Sequence, residues 1–111
     1  MSTQVLARGS VPLAHAPLPT DQAVAGKPTT GLSVFQESGL DVGLWEHSVG
    51  VSRDVEDDEI FVILNGLARI EVANGPTLSV GPGDVVQLAA GDHTTWYVTE
   101  PLRKFWVSVS T

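Results

Sequence analysis

The stretch Glu59-Ile60-Phe61-Val62-Ile63-Leu64-Asn65-Gly66-Leu67-Ala68-Arg69-Ile70-Glu71-Val72-Ala73-Asn74-Gly75-Pro76-Thr77-Leu78-Ser79-Val80 decides the fold class. Its apolar runs are short, rich in β-branched and aromatic residues, and interrupted by Asn-Gly pairs that supply the positive φ angles of tight hairpins. The pattern predicts strands at 59–64, 68–72 and 77–80. Turns at Asn65-Gly66 and Asn74-Gly75 would pair them antiparallel.

The same texture extends on both sides, with further runs at 32–36, 42–47, 85–88, 94–98 and 103–109, recurring roughly every 8–12 residues. Gly81-Pro82-Gly83-Asp84 and Gly91-Asp92 mark two more reversals. No long segment combines helical caps with a helical period, so the protein is read as all-β. With about eight short strands, a sandwich or closed barrel is the arrangement that hides sheet edges. Residues 1–31 show neither period and hold four of the seven prolines, Pro12, Pro17, Pro19 and Pro28. They are read as an extended N-terminal arm, with Val11, Leu13 and Leu18 to dock it. Residues 32–111 make the barrel.

A chain of 111 residues has room for one domain with its own core. Without cysteine there are no disulfides, thiol nucleophiles or Cys-ligated metals. Thirteen acids against six bases give a formal charge of −7, which repels phosphate backbones and anionic lipid. Nucleic acid and membrane are therefore not expected partners. The longest apolar runs are far short of a membrane helix and no secretory leader is evident, so a cytoplasmic protein is expected.

Alternation assigns faces within the strands. Glu59 shares a side with Phe61 and Ile63, so a barrel that buries those two residues also aims Glu59 inward at the strand's mouth. Trp45 shares a side with His47 and Gly43. Thr94, Trp96 and Val98 take one face of their run, while His93, Thr95 and Tyr97 take the other. Arg103 and Lys104 alternate, so at most one of them points inward.

Taken in order, Gly43-Leu44-Trp45-Glu46, Asp57-Asp58-Glu59 with the following Gly66, Gly81-Pro82-Gly83-Asp84, Gly91, Thr95-Trp96 and Arg103-Lys104 resemble the cupin superfamily. The resemblance covers about residues 17–107. It is closest to a small single-domain branch related to the cupin domains of (S)-ureidoglycine aminohydrolase and of ethanolamine-utilisation proteins. It implies a double-stranded β-helix, or jelly-roll barrel, of two antiparallel sheets. It also implies a homodimer, in which the arm would be exchanged between subunits. Cupins commonly hold a metal on closely spaced histidines ahead of a glutamate, with a further histidine in a second motif. Glu59 matches the glutamate. The histidine pair falls on Ser52 and Asp54, or on Arg53 and Val55 with a shorter spacer, and the later histidine falls on Thr94, with His93 one place early. One residue of slip on a strand turns a side chain to the opposite face, so the usual His-rich set is absent as aligned.

Five carboxylates crowd the segment from Asp54 to Glu59. Asp57 and Asp58 read as a solvated loop that discourages edge pairing. Glu59 is different: an inward carboxylate requires hydrogen bonds, a partner such as Arg53, Arg103 or Lys104, or a proton. His47 and Glu59 are the candidate proton-transfer groups, and His15 in the arm is taken as incidental. Trp45, Trp96, Phe61, Thr94 and Lys104 are the candidate ligand contacts, since small-molecule sites pair apolar walls with a few polar groups. If a divalent metal is bound, whether Mn, Zn, Fe or Ni, its ligands would be Glu59, His47, His93 and Asp54.

The expected function is binding of a small polar or carboxylate metabolite in the barrel mouth without the usual metal. The rival expectation is an acid/base enzyme of hydrolase, lyase or isomerase type, metal-dependent or metal-free.

Overall fold

The computed structural model describes residues 2–37 and 39–109. Met1, Ser38 and residues 110–111, which belong to the predicted arm and barrel segments, lie outside the described residues. No helix occurs among the described residues, and hence none long and apolar enough to cross a membrane. The strands are β1 (His15–Pro17), β2 (Ala23–Ala25), β3 (Thr29–Glu37), β4 (Leu40–His47), β5 (Gly50–Val55), β6 (Glu59–Val72), β7 (Thr77–Val80), β8 (Val85–Leu88) and β9 (His93–Val109). All their pairings are antiparallel.

The all-β cupin architecture holds, as a sheet curled over on itself. Two long strands, β6 and β9, pair along their whole length and belong to both layers. In one layer β9 carries β4, β3 and β1 on one side, while β6 carries β8 on the other. In the second layer β9 carries β5 and β2, while β6 carries β7. The expected two sheets are thus two halves of one hydrogen-bonded surface.

Asn65-Gly66 does not form the predicted hairpin. β6 runs straight through it, and the ladder with β9 shifts register repeatedly between Ile63 and Ala68. Gly66 has φ +94, and a Cβ there would meet the Pro101 carbonyl oxygen at 2.2 Å and Leu102 Cα at 2.7 Å. The Asn-Gly pair is used as a bulged corner at which both long strands bend from one layer into the other. Asn74 (φ 60) does turn a hairpin, between β6 and β7. The runs 94–98 and 103–109 likewise fuse into β9. β5 escaped the sequence reading because its inward positions carry Ser52 and Asp54 rather than apolar residues.

The core lies between the layers. Phe61, Ile63, Ile70, Leu88, Trp96, Val98 and Leu102 are its buried centre, with Trp45 and Trp106 packed against it. β4 passes close to the Trp106 ring because Gly43 has no side chain: a Cβ there would come within 2.7 Å of the ring.

The arm is ordered against its own barrel. β1 adds to the free edge of β3, and β2 adds to the free edge of β5. Arg103, on the outer face of β9, donates from Nε to the Gly9 carbonyl at 2.8 Å, from Nη2 to the Val11 carbonyl, and from Nη1 to Glu46 at 3.0 Å. His15, expected to be incidental, bridges Thr29 at 2.9 Å and Glu46 at 3.0 Å. Partial burial pushes the Glu46 carboxyl up, but the hydrogen bonds from His15 and Arg103 and their charges outweigh it, so its pKa lies below the ordinary value.

Candidate site in the barrel mouth

A cavity of about 420 Å³ opens between the layers at the β3–β5 side. Its position follows from strand register. Ser52 lies opposite Trp96 and Asp54 opposite Thr94 on the β5–β9 ladder, so all four face inward. Trp45 lies opposite Lys104 on the β4–β9 ladder and shares its face.

Lys104 occupies the floor. Its Nζ is 2.7 Å from Glu59 Oε1, with the two side chains 6% and 14% exposed. The ammonium also lies 4.6 Å from the Trp45 ring centre, 4.3 Å from Phe61 and 5.0 Å from Trp96. The ring faces and the carboxylate replace part of the hydration that the ammonium loses on burial. The contact with Glu59 is an ion pair and not a well-aligned hydrogen bond, since Oε1 is buried with no donor directed at it. Trp106 Nε1, in another residue of the cavity wall, is likewise a buried donor without an acceptor.

Glu56, one of the five clustered carboxylates, is buried at 6% exposure. It accepts from the Thr94 hydroxyl at 2.6 Å and from the Trp96 indole N–H at 3.0 Å. Glu56 therefore fixes the Trp96 ring in the wall. The one available signal was alternation continued beyond β5, from Ser52 and Asp54 to Glu56. Asp54 stands exposed at the rim, where crowding by protein and the neighbouring Glu56 charge raise its carboxyl above the ordinary range. The Val55 N–H and the Lys104 charge pull the other way, and Glu59 adds to the rise.

His47 is buried beside Trp45, with ring centres 5.4 Å apart, but it is not in the cavity wall. Its Nδ1 faces the Ser48 carbonyl, which can only accept, so Nδ1 carries the proton. Nε2 then accepts from the Ser52 hydroxyl at 2.8 Å. Burial lowers the His47 pKa despite the Ser48 bond, and the His15 and Lys104 charges add to the drop. Glu59 and His47 are not joined by any hydrogen bond or ion pair among the described residues.

Of the predicted ligand contacts, Trp45, Trp96 and Lys104 line the cavity together with Glu59. Phe61 lies beneath Lys104 as buried support, and Thr94 is engaged by Glu56. His93 is exposed on the opposite face, in an open outer groove of about 640 Å³ shared with Arg53, Glu71 and Thr95. The inner cavity is the better candidate because the buried charges and the rings converge there.

The residues present do not fit the metal that cupins commonly hold. Glu59 already carries Lys104, the histidine positions hold Ser52 and Asp54, and Thr94 is bonded to Glu56. The conditional set Glu59, His47, His93 and Asp54 is not assembled, since no three metal-ligating side chains gather among the described residues. His93 alternates to the outer face and both His47 nitrogens are engaged, which is the physical reason.

A curled jelly-roll with this mouth defines a small cupin. The chain belongs to the EutQ-like cupin domain family, whose sequence pattern matches residues 36–106. Among solved structures it is similar to ethanolamine utilization protein Q of Salmonella typhimurium, with 20% identity and TM-score 0.65 over 72% of this chain and 68% of that one. A DUF861 family protein of Thermotoga maritima is 30% identical, with TM-score 0.54 over 57% of this chain and 73% of that one. A DUF861 family protein of Pseudomonas syringae is 22% identical, with TM-score 0.72; 90% of this chain aligns, but only 45% of that protein. No curated protein matches the chain. The ethanolamine-utilisation side of the sequence resemblance is the side these comparisons support.

Proposed function

We propose that the barrel mouth binds a small polar or carboxylate metabolite and does so without a metal ion. The Lys104–Glu59 ion pair, its ammonium within 5.0 Å of three aromatic ring centres at the floor of a cavity of about 420 Å³, carries this proposal. An ammonium has three N–H donors, and Glu59 does not engage them all, so Lys104 keeps donors for a ligand oxygen. Trp45 and Trp96 supply flat apolar walls, and Asp54 at the rim offers an acceptor to a ligand hydroxyl or amine. The cavity falls within the size range of small-molecule sites.

Calorimetric titration with a panel of small carboxylates, hydroxy acids and amino compounds tests the assignment. Glu59→Gln and Trp96→Ala are each expected to weaken the bound compound at least about tenfold, with circular dichroism and a thermal melt of each variant separating lost contacts from lost fold. Unchanged affinity in both variants would retire this site. Elemental analysis of protein purified without chelator is expected to find no stoichiometric divalent metal. One equivalent of metal, lost in Glu59→Gln, would favour the metal-dependent enzyme instead. A homodimer is kept as part of the proposal, but without the exchanged arm that the family resemblance implies, because β1 and β2 pair with strands of their own chain; sedimentation velocity is its check.

A further inference from the structure

β1 and β3 form a hairpin whose last pair is Pro17 with Thr29. The intervening residues 18–28 do not turn back directly. They leave the edge of one layer, cross to the edge of the other, add β2 to β5, and return. Since β1 and β2 stand at opposite ends of the strand order β1-β3-β4-β9-β5-β2, this crossing bridges the open side of the curled sheet. That side is the cavity mouth, and Leu18 and Gln22 of the crossing line it together with Leu32 of β3 and Asp54 of β5.

The two ends of the crossing are held unequally. On the β1 side, His15 is bonded to Glu46 and Thr29, and Arg103 grips the Gly9 and Val11 carbonyls. On the β2 side only Ala23 and Ala25 pair with β5, with a register irregularity between them. Arg53 N–H adds one bond to the Gln22 carbonyl at 2.8 Å. Val24 and Ala25 are exposed, and the return runs through two successive positive-φ residues, Gly26 (φ 77) and Lys27 (φ 48). The tip seats by close backbone approach, since a Cβ on Gly26 would meet Gly50 Cα at 3.1 Å.

We infer that residues 18–28 form a flap over the mouth, latched at its β1 end and released at its β2 end, with Leu18 and Gln22 closing over whatever occupies the cavity. Short edge pairing, the exposed run 24–27 and a left-handed return mark the low-stability end from which such gates are drawn, with the fully buried Pro28 as the hinge where the return rejoins β3. The functional meaning of the flap rests on the mouth being the binding site, but its motion can be measured without any ligand.

Trp45, Trp96 and Trp106 all line the cavity, so acrylamide quenching of their fluorescence reports access. The protein has no cysteine of its own. Ala25 and Val51 are ladder partners, and facing residues on an antiparallel pair lie within disulfide reach. In the full chain carrying Ala25→Cys and Val51→Cys, oxidation is expected to lower the quenching constant about threefold relative to the reduced form. Gly26→Val, strained by its positive φ and by Gly50, is expected to raise quenching above wild type with the far-UV circular dichroism unchanged. Equal quenching in the oxidised, reduced and Gly26→Val forms would overturn the flap. So would a disulfide-linked dimer, because the crossing would then belong to another copy's mouth. A flap that passes this test while Glu59→Gln and Trp96→Ala bind normally would leave the gate standing and the site assignment wrong.

Discussion

Lys104 Nζ lies 2.7 Å from Glu59 Oε1, yet the two residues are not ladder partners. Lys104 is registered opposite Ile63, and Glu59 opposite Ser108. The pair is therefore made by two side chains reaching towards each other along the inner face of the sheet. Such a buried pair is costly to break from one side and cheap to replace from both. Lys104→Met is expected to destabilise the protein by about 3–5 kcal/mol, because it strands the Glu59 charge. Lys104→Met combined with Glu59→Gln should recover most of that loss. Urea denaturation of both singles and the double variant measures the coupling, and additive losses would show that the charges do not interact.

His47 makes stability depend on pH. Its folded pKa lies below the ordinary value of 6.5, so the unfolded chain takes up a proton first as the pH falls. Its contribution is complete above that value and is lost as the pH drops through it towards the folded pKa. Thermal melts from pH 8 to pH 5 should show a falling midpoint in that window. His47→Gln is expected to flatten this segment and to cost about 1–3 kcal/mol at pH 8, through imperfect replacement of the bonds to Ser48 and Ser52.

Asp54 has the opposite sign. Its raised carboxyl penalises the folded state fully at pH values above the raised folded pKa, and the penalty fades as the pH falls through that pKa to the ordinary value of 3.8. Asp54→Asn is expected to raise the melting temperature slightly at pH 7. Solvent screening at the rim keeps the gain under about 1 kcal/mol. A lowered midpoint at neutral pH would show that Asp54 stabilises the rim.

Arg103 ties the arm to the barrel through two backbone carbonyls and Glu46. Arg103→Ala should cost about 2–4 kcal/mol, since charge-assisted bonds are the stronger class and the arm carbonyls lose their donor. Limited proteolysis should then cut before His15 much faster than in wild type. An unchanged cleavage rate would mean that the β1 ladder alone holds the arm.

Gly66 has both a positive φ and no space for a Cβ beside Pro101. Gly66→Ala is expected to destabilise by about 2 kcal/mol or more, well beyond a simple entropy effect. Gly83, whose φ is +89 with open space around its Cβ position, is the control, and its Ala variant should cost less. Equal losses would place the whole effect in φ and none in the corner.

Alternation made much of the site legible. Phe61, Ile63 and Glu59 do share the inner face, Trp45 does lie on the side of His47, and His93 does split from Thr94. Two things escaped. Asn65-Gly66 has the same local chemistry in a hairpin and in a bulged corner, and only the matching bend in β9 selects the corner. Glu56 follows inward positions that are themselves polar, Ser52 and Asp54, so alternation carries little sign of burial there, and its bonds to Trp96 N–H and the Thr94 hydroxyl reveal it. Arg103 and Lys104 show a third limit. Alternation sends one inward and one outward, as observed, but the outward one is also buried because the arm covers it.

By itself the sequence determined the all-β class, the cupin pattern, the absence of the usual histidine set and the inward direction of Glu59. These depend on period, turn residues and residue identity, all of which are local. Only the tertiary structure decided that Lys104 and not Arg103 is the partner of Glu59, that Glu56 holds Trp96, and that residues 18–28 cross the mouth. Each of those depends on which strands become neighbours, and antiparallel register between segments distant in the chain is set by the closing of the whole sheet.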